Sequence, residues 1–93
     1  MIRSFADKRA AAIFAGHTVR GIPNDIQVRV QAKLEMINAA ARLGDLRLPP
    51  GNRLKALKGD RHGQHSIRIN HQWRICFRWS DGEVLGVEIT DYH

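Results

Sequence analysis

Midway along this sequence, at Leu48-Pro49-Pro50-Gly51-Asn52, apolar residues stop recurring at helical spacing and begin to alternate. Two adjacent prolines and a glycine interrupt any regular element there, so helices are expected before the break and strands after it. Upstream, Ser4 is expected to cap a short helix running through Phe5, Ala10, Ala11, Ala12, Ile13 and Phe14, with Gly16 as its stop. Pro23-Asn24-Asp25-Ile26-Gln27 then offers an Asn cap with Gln three residues later. Ile26, Val30, Leu34, Ile37 and Ala41 follow on one face of a longer helix that closes before Gly44. Arg29, Lys33 and Arg42 lie off that stripe and read as its solvated face.

Downstream, Leu54-Lys55-Ala56-Leu57 reads as a short strand or an extended approach to a turn, and Ser66 to Ile69, Trp73 to Trp79 and Val84 to Thr90 as three strands. Turns at Asn70-His71-Gln72 and Ser80-Asp81-Gly82 make them an antiparallel meander. The expectation is an α+β fold, two N-terminal helices packed on a small antiparallel sheet, in one domain spanning residues 1–93. Strict alternation sends Ile67, Ile69, Trp73, Ile75, Phe77, Trp79, Leu85, Val87 and Ile89 toward the helices. Arg68, Arg74 and Arg78 fall on the opposite face, where Glu88 is the acid available to pair with Arg74 or Arg78.

The charge is unevenly distributed. Fifteen Lys and Arg against nine Asp and Glu give a net charge of +6, and the segment from Arg53 to Arg78 alone has seven basic residues and one acid. A surplus of six on one segment attracts polyanions before any specific contact forms, whereas a merely soluble surface intersperses its signs. The single Cys76 excludes an intramolecular disulfide framework, the opening Met1 to Asp7 lacks the apolar core of a signal peptide, and no apolar stretch approaches a membrane span. A cytoplasmic protein without a membrane partner is expected.

After the alternating run Val84 to Ile89 come Asp91, Tyr92 and His93, a carboxylate, an aromatic ring and an imidazole at the end of an expected strand. An imidazole titrates near neutrality and moves protons, a neighbouring acid orients it, and an aromatic ring stacks on an unpaired base. These are the tools of RNA cleavage. Tyr92 has a plainer reading as an aromatic sealing the core edge with its hydroxyl wet. His62, His65 and His71 do not make a metal site, since no carboxylate or cysteine completes a ligand set around the glycine turn. Cys76 alternates between Arg74 and Arg78 and is a small half-buried hydrophobe before it is a nucleophile.

Leu54-Lys55-Ala56-Leu57-Lys58-Gly59-Asp60-Arg61, Gly63, Ser66-Ile67-Arg68-Ile69-Asn70, Trp73-Arg74-Ile75-Cys76-Phe77 and Val87 to His93 together resemble the HigB branch of the RelE-like toxins. The start Met1-Ile2-Arg3-Ser4-Phe5 fits as well, so the resemblance covers essentially the whole chain. It implies a RelE-like (microbial-ribonuclease-like) fold and the toxin of a type II toxin–antitoxin pair. Such a toxin is a ribosome-dependent endoribonuclease that cuts messenger RNA in the ribosomal A site and so inhibits translation. The partner implied is a HigA-like antitoxin with a helix-turn-helix domain, through which DNA would be met only indirectly.

Within that resemblance the chemistry needs no metal and no cofactor. The 2′-OH upstream of the scissile bond is activated, charge on the phosphate is stabilised, and the leaving 5′ oxygen is protonated. His93 is the first candidate for proton transfer, Asp91 for orienting it or sharing that transfer, and Tyr92 for stacking on a base or hydrogen-bonding a phosphate. Some members of the family have His-Pro-Leu-Lys-Gly where this chain has Lys55-Ala56-Leu57-Lys58-Gly59, so Lys55 stands in the place of a histidine. Lysine with its ordinary pKa near 10.4 is a poor base at neutrality and a good phosphate ligand, and Lys55 is assigned to either role. Lys58, Arg61 and Arg74 are expected to bind phosphate and the transition state, with Arg68 and Arg78 there or on ribosomal RNA. Two other functions share these residues: a ParE-like gyrase inhibitor, against which the Asp91-Tyr92-His93 ending speaks, and a noncatalytic RNA- or ribosome-binding module.

Overall fold

In a computed structural model, which describes residues 1–91, the break at Pro49-Pro50 divides a helical half from a sheet. Helix α1 spans Lys8–Phe14 and α2 spans Asn24–Ala39. Strands β1 (Lys55–Ala56), β2 (Gln64–Arg68), β3 (Trp73–Ser80) and β4 (Glu83–Asp91) form an antiparallel sheet in the order β1-β2-β3-β4. The α+β expectation and the meander both hold.

The first helix begins later than its sequence suggests. Asp7, not Ser4, is the cap, its carboxylate accepting the Arg9 backbone N–H at 2.9 Å. Residues 1–6, Phe5 included, lie extended beside β4: Arg3 N–H donates to Val84 O at 2.7 Å and Ala6 N–H to Val87 O at 2.9 Å. The Ser4 hydroxyl is already engaged, accepting Gly86 N–H at 2.8 Å, and Asp7 also accepts Ile89 N–H at 3.1 Å. Burial pushes the Asp7 carboxyl pKa up, but hydrogen bonds from the Arg9 side chain and from the Ile89 and Arg9 backbones outweigh it and hold the pKa below its ordinary value. Gly16 ends α1 as expected, at φ 95°, a conformation that costs glycine little.

In α2 the stripe Ile26, Val30, Leu34 and Ile37 is buried, while Ala41 is exposed beyond the helix end. Asn24 is the first helical residue rather than the cap. Its Oδ1 accepts from the Gln27 amide, which also binds Val19 and Ile22 carbonyls at 2.9 and 2.8 Å and fastens the loop between the helices. Two of the three cations read as solvated are docked: Arg29 donates to Ile69 O at 3.3 Å, and the Lys33 ammonium donates to Asn52 Oδ1. Asn52 is fully buried between α2 and the Pro49-Pro50 segment, so Lys33 closes a polar join that helix periodicity alone does not reveal.

The sheet carries one departure from strict alternation. Ile75 faces Ile89 and Cys76 faces Glu88, but the next pairs are Arg78 with Leu85 and Trp79 with Val84. Phe77 alone on β3 thus opposes Gly86 and Val87 on β4, a bulge that Gly86 accommodates at φ 62°. The bulge inverts parity: Val84 and Val87 are both fully buried, and Leu85, expected inward, turns to the outer face half-buried. The inner face otherwise holds as read, with Ile67, Ile75, Phe77 and Ile89 buried against the helices. The Asn70 to Gln72 turn is closed by Asn70 Oδ1, which accepts Trp73 N–H at 2.7 Å. The Ser80 to Glu83 turn uses Asp81 and Gly82, both at positive φ, the twist that suits a two-residue hairpin.

Candidate functional site

On the outer face, the side turned away from the helices, the alternation places Ser66 (β2), Arg74 and Cys76 (β3) and Glu88 and Thr90 (β4) in neighbouring register. β1 and the segment to Arg61, a single 3₁₀ turn over Gly59–Arg61, rise beside them as a wall. Between floor and wall is a cleft of about 420 Å³ lined by Lys55, Ala56, Leu57, Lys58, Arg61, Ser66, Arg74, Cys76 and Thr90. Four of the basic residues expected in the site, Lys55, Lys58, Arg61 and Arg74, thus converge on one concavity.

Arg74 forms the floor. It is 7% exposed, and its Nε donates to Ser66 Oγ at 2.8 Å while Nη2 donates to Arg53 O at 2.9 Å. Arg53 offers that carbonyl from a left-handed turn at φ 46°, the C-cap of the 3₁₀ turn Pro50–Asn52. A guanidinium buried under such constraint keeps its charge and a fixed orientation, which is what pre-organised stabilisation of an anion requires. Beside it, the Thr90 hydroxyl donates to Cys76 Sγ at 3.4 Å, and Cys76 is buried in the floor.

Arg61 comes from the wall and reaches across the sheet. Its Nη1 donates to Glu88 Oε1 on β4 and, at 3.1 Å, to Gln64 Oε1. Hydrogen bonding to Glu88, more than its charge, raises the Arg61 pKa above an already high ordinary value. Glu88 is therefore the partner of Arg61, not of Arg74 or Arg78, because the loop carrying Arg61 arches over the face that alternation assigned to Glu88.

The other two arginines stay on that face but outside the cleft lining. Arg68, opposite Arg74 in register, turns to the β2–β3 turn and donates to Asn70 O at 3.0 Å. Arg78 is exposed and lies over Gly63, where an added Cβ would sit 2.9 Å from its Nη1. Asp91 ends β4 opposite Trp73, one residue past Thr90, and accepts from Gln72 Nε2 at 3.2 Å. Tyr92 and His93 lie outside the described residues. Ser66, Thr90 and Gln64 were not singled out from the sequence, although the period-two pattern that put Arg68, Arg74 and Glu88 on this face would have found them. Among the described residues no group of three or more His, Cys, Asp or Glu converges as metal ligands, and His65 instead stacks on Phe77 with ring centroids 6.4 Å apart.

Residues 3–93 match the HigB-like toxin family, described as the RelE-like toxin of type II toxin–antitoxin system HigB. The chain is 47% identical over 73 residues to Toxin HigB-1 of Vibrio cholerae, spanning 78% of this chain and 77% of that protein. It is 33% identical to Endoribonuclease HigB of Proteus vulgaris over 100% of both chains. Among solved structures, a chain of the heterotetrameric YoeB–YefM toxin–antitoxin complex from Staphylococcus aureus superposes with a TM-score of 0.61 at 16% identity, covering 100% of this chain and 98% of that one. At such low identity the likeness concerns the fold, two helices on an antiparallel sheet.

Proposed function

Since the chain belongs to the HigB-like family of RelE-like toxins of type II toxin–antitoxin systems, we propose that its cationic cleft takes messenger RNA in the ribosomal A site and cleaves it there. The chain is a HigB-type toxin, and its activity is that of an endoribonuclease. The observation that carries the ribosome-bound reading is the cleft itself: Lys55, Lys58 and Arg61 from the wall meet Arg74 of β3 on a floor that Thr90 completes, directly before residues 91–93.

In this reading a phosphodiester lies over the buried Arg74 guanidinium, with Lys58 and Arg61 at its other oxygens. The fixed cations match the negative charge that develops on the non-bridging oxygens as the upstream 2′-oxygen attacks phosphorus. His93 moves a proton at the 2′-hydroxyl or at the leaving 5′ oxygen, and Lys55 either shares that work or binds the phosphate. Asp91 orients His93 or shares the transfer, and Tyr92 stacks on a base beside the scissile bond. Arg68 and Arg78, on the same face but beyond the cleft, meet the ribosomal RNA around it. The partner in the silenced state is a HigA-like antitoxin with a helix-turn-helix domain, and the pair works in the cytoplasm. Among the described residues no helix is long and apolar enough to cross a membrane. Gyrase inhibition and noncatalytic RNA binding are not favoured beside a full-length relative named an endoribonuclease.

Mapping 5′ ends of translated and untranslated transcripts after induction of the wild type and of His93→Ala tests this directly. New ends within translated frames only, absent with His93→Ala, are the expected result. Equal cutting of untranslated RNA would remove the ribosome from the reading, and undiminished cutting by His93→Ala would remove the catalytic assignment.

A further inference from the structure

Arg61 has five N–H donors, and its Nη1 is committed to Glu88 and Gln64. No hydrogen bond from its Nε or Nη2 is formed among the described residues. The guanidinium is thus gripped at one corner. Its Nε–Nη2 edge, the planar fork that matches two oxygens of a phosphate, is left unspent in a residue that lines the cleft.

The grip spans the sheet. Arg61 sits in the connection between β1 and β2, while Glu88 lies on β4, so the pair crosses β2 and β3 and ties the Lys55 to Arg61 wall to the far side of the cleft floor. With side chains 37% and 30% exposed, such a pair adds little to stability. Its worth is in orientation: a carboxylate and an amide oxygen, both on Nη1, fix where the remaining edge points. A carboxylate placed among cations to bind RNA would otherwise be a hindrance, since it repels the same phosphates.

We propose that Glu88, seconded by Gln64, is a positioning residue that holds the Nε–Nη2 edge of Arg61 toward the non-bridging oxygens of an RNA phosphodiester. This rests on the reading of the cleft as the site of RNA cleavage. It also opposes the simplest electrostatic expectation, in which removing an acid from a cationic face improves RNA binding and speeds cleavage.

Single-turnover cleavage of messenger RNA on purified ribosomes is measured for the wild type, Glu88→Ala, Glu88→Met, Glu88→Gln, Arg61→Ala and the Arg61→Ala, Glu88→Ala double variant. Loss of aim is expected to lower the maximal rate of Glu88→Ala by about tenfold to a hundredfold with the half-saturating concentration nearly unchanged. Glu88→Met, which keeps the volume without an acceptor, shows the same loss and stands in for Glu88→Ala if that protein does not fold. Glu88→Gln, which keeps an acceptor for Nη1, recovers much of the rate. In the double variant the Glu88 change adds nothing to Arg61→Ala. A Glu88→Ala or Glu88→Met protein that cuts as fast as the wild type or faster, or a Glu88 effect that multiplies with Arg61→Ala, overturns the positioning role. Absence of cleavage by the wild type, or an Arg61→Ala protein indistinguishable from it, tells instead against the cleft as the cleavage site.

Discussion

The two faces of the same four strands are built on different principles. On the inner face, Ile67, Ile75, Phe77, Val84, Val87 and Ile89 are buried by area alone, a non-directional force that accepts any arrangement filling the space. On the outer face, Arg74 and Ser66 are nearly as buried but depend on named acceptors, Arg53 O and Ser66 Oγ, each at hydrogen-bond distance. The inner face absorbs the bulge at Gly86 by exchanging one aliphatic residue for another. The outer face has no such latitude, because a guanidinium moved by an ångström loses its partners outright.

The sharpest break of that contrast is Phe77→Ala set against Arg74→Lys. Phe77→Ala should cost about 3 to 5 kcal/mol in denaturant unfolding, the transfer and cavity cost of a fully buried ring. Arg74→Lys keeps the charge but not the fork, so it should lose about 1 to 3 kcal/mol through unsatisfied Arg53 and Ser66 acceptors. It should also lose RNA cleavage far out of proportion to its stability. Equal loss of stability and activity in both variants would mean that the two faces do not differ in kind.

A second experiment tests the bulge. Val84→Ala should destabilise by about 1 to 2 kcal/mol, since it removes buried methyl groups, while Leu85→Ala on the outer face should change stability by about 0.5 kcal/mol or less. Unbroken alternation along β4 gives the reverse order, so the pair of melts decides the register.

A third experiment concerns the join between the N-terminal segment and the inner face. Asp7 caps α1 and accepts from β4, and its pKa is depressed in the folded state below the ordinary 3.8. Its contribution is therefore fully present above pH 3.8 and is lost as the pH falls through the lower folded value. Asp7→Ala should cost about 1 to 2 kcal/mol at neutral pH, and the gap from the wild type should narrow under acid. A gap independent of pH would assign the whole effect to packing.

Much of this was legible in the residues. The Pro49-Pro50 break, the α2 stripe, the Asp81-Gly82 hairpin and the arginine face follow from local geometry: an unbroken helix or strand has a fixed period, and period assigns faces. The shared role of Lys55, Lys58, Arg61 and Arg74 was an expectation from the family resemblance, and their convergence in one cleft comes from the fold, which carries β1 and its loop over the basic face. What the residues did not reveal lies where periodicity is interrupted or where partners are remote. Ser4 and Asp7 are both good caps, and only the presence of β4, with Gly86 N–H waiting for Ser4, chose between them.

By itself, then, the sequence determined the order of elements, the sheet's two faces and the surplus of positive charge. Tertiary structure alone decided that Val84 and not Leu85 enters the core, that Lys33 closes a buried join with Asn52, and that Arg61 answers to Glu88. The reason is common to all three. Periodicity is a property of neighbours along the chain, whereas a bulge, a half-buried ammonium and an ion pair reaching across the sheet depend on which distant groups arrive within hydrogen-bond distance once the chain has closed.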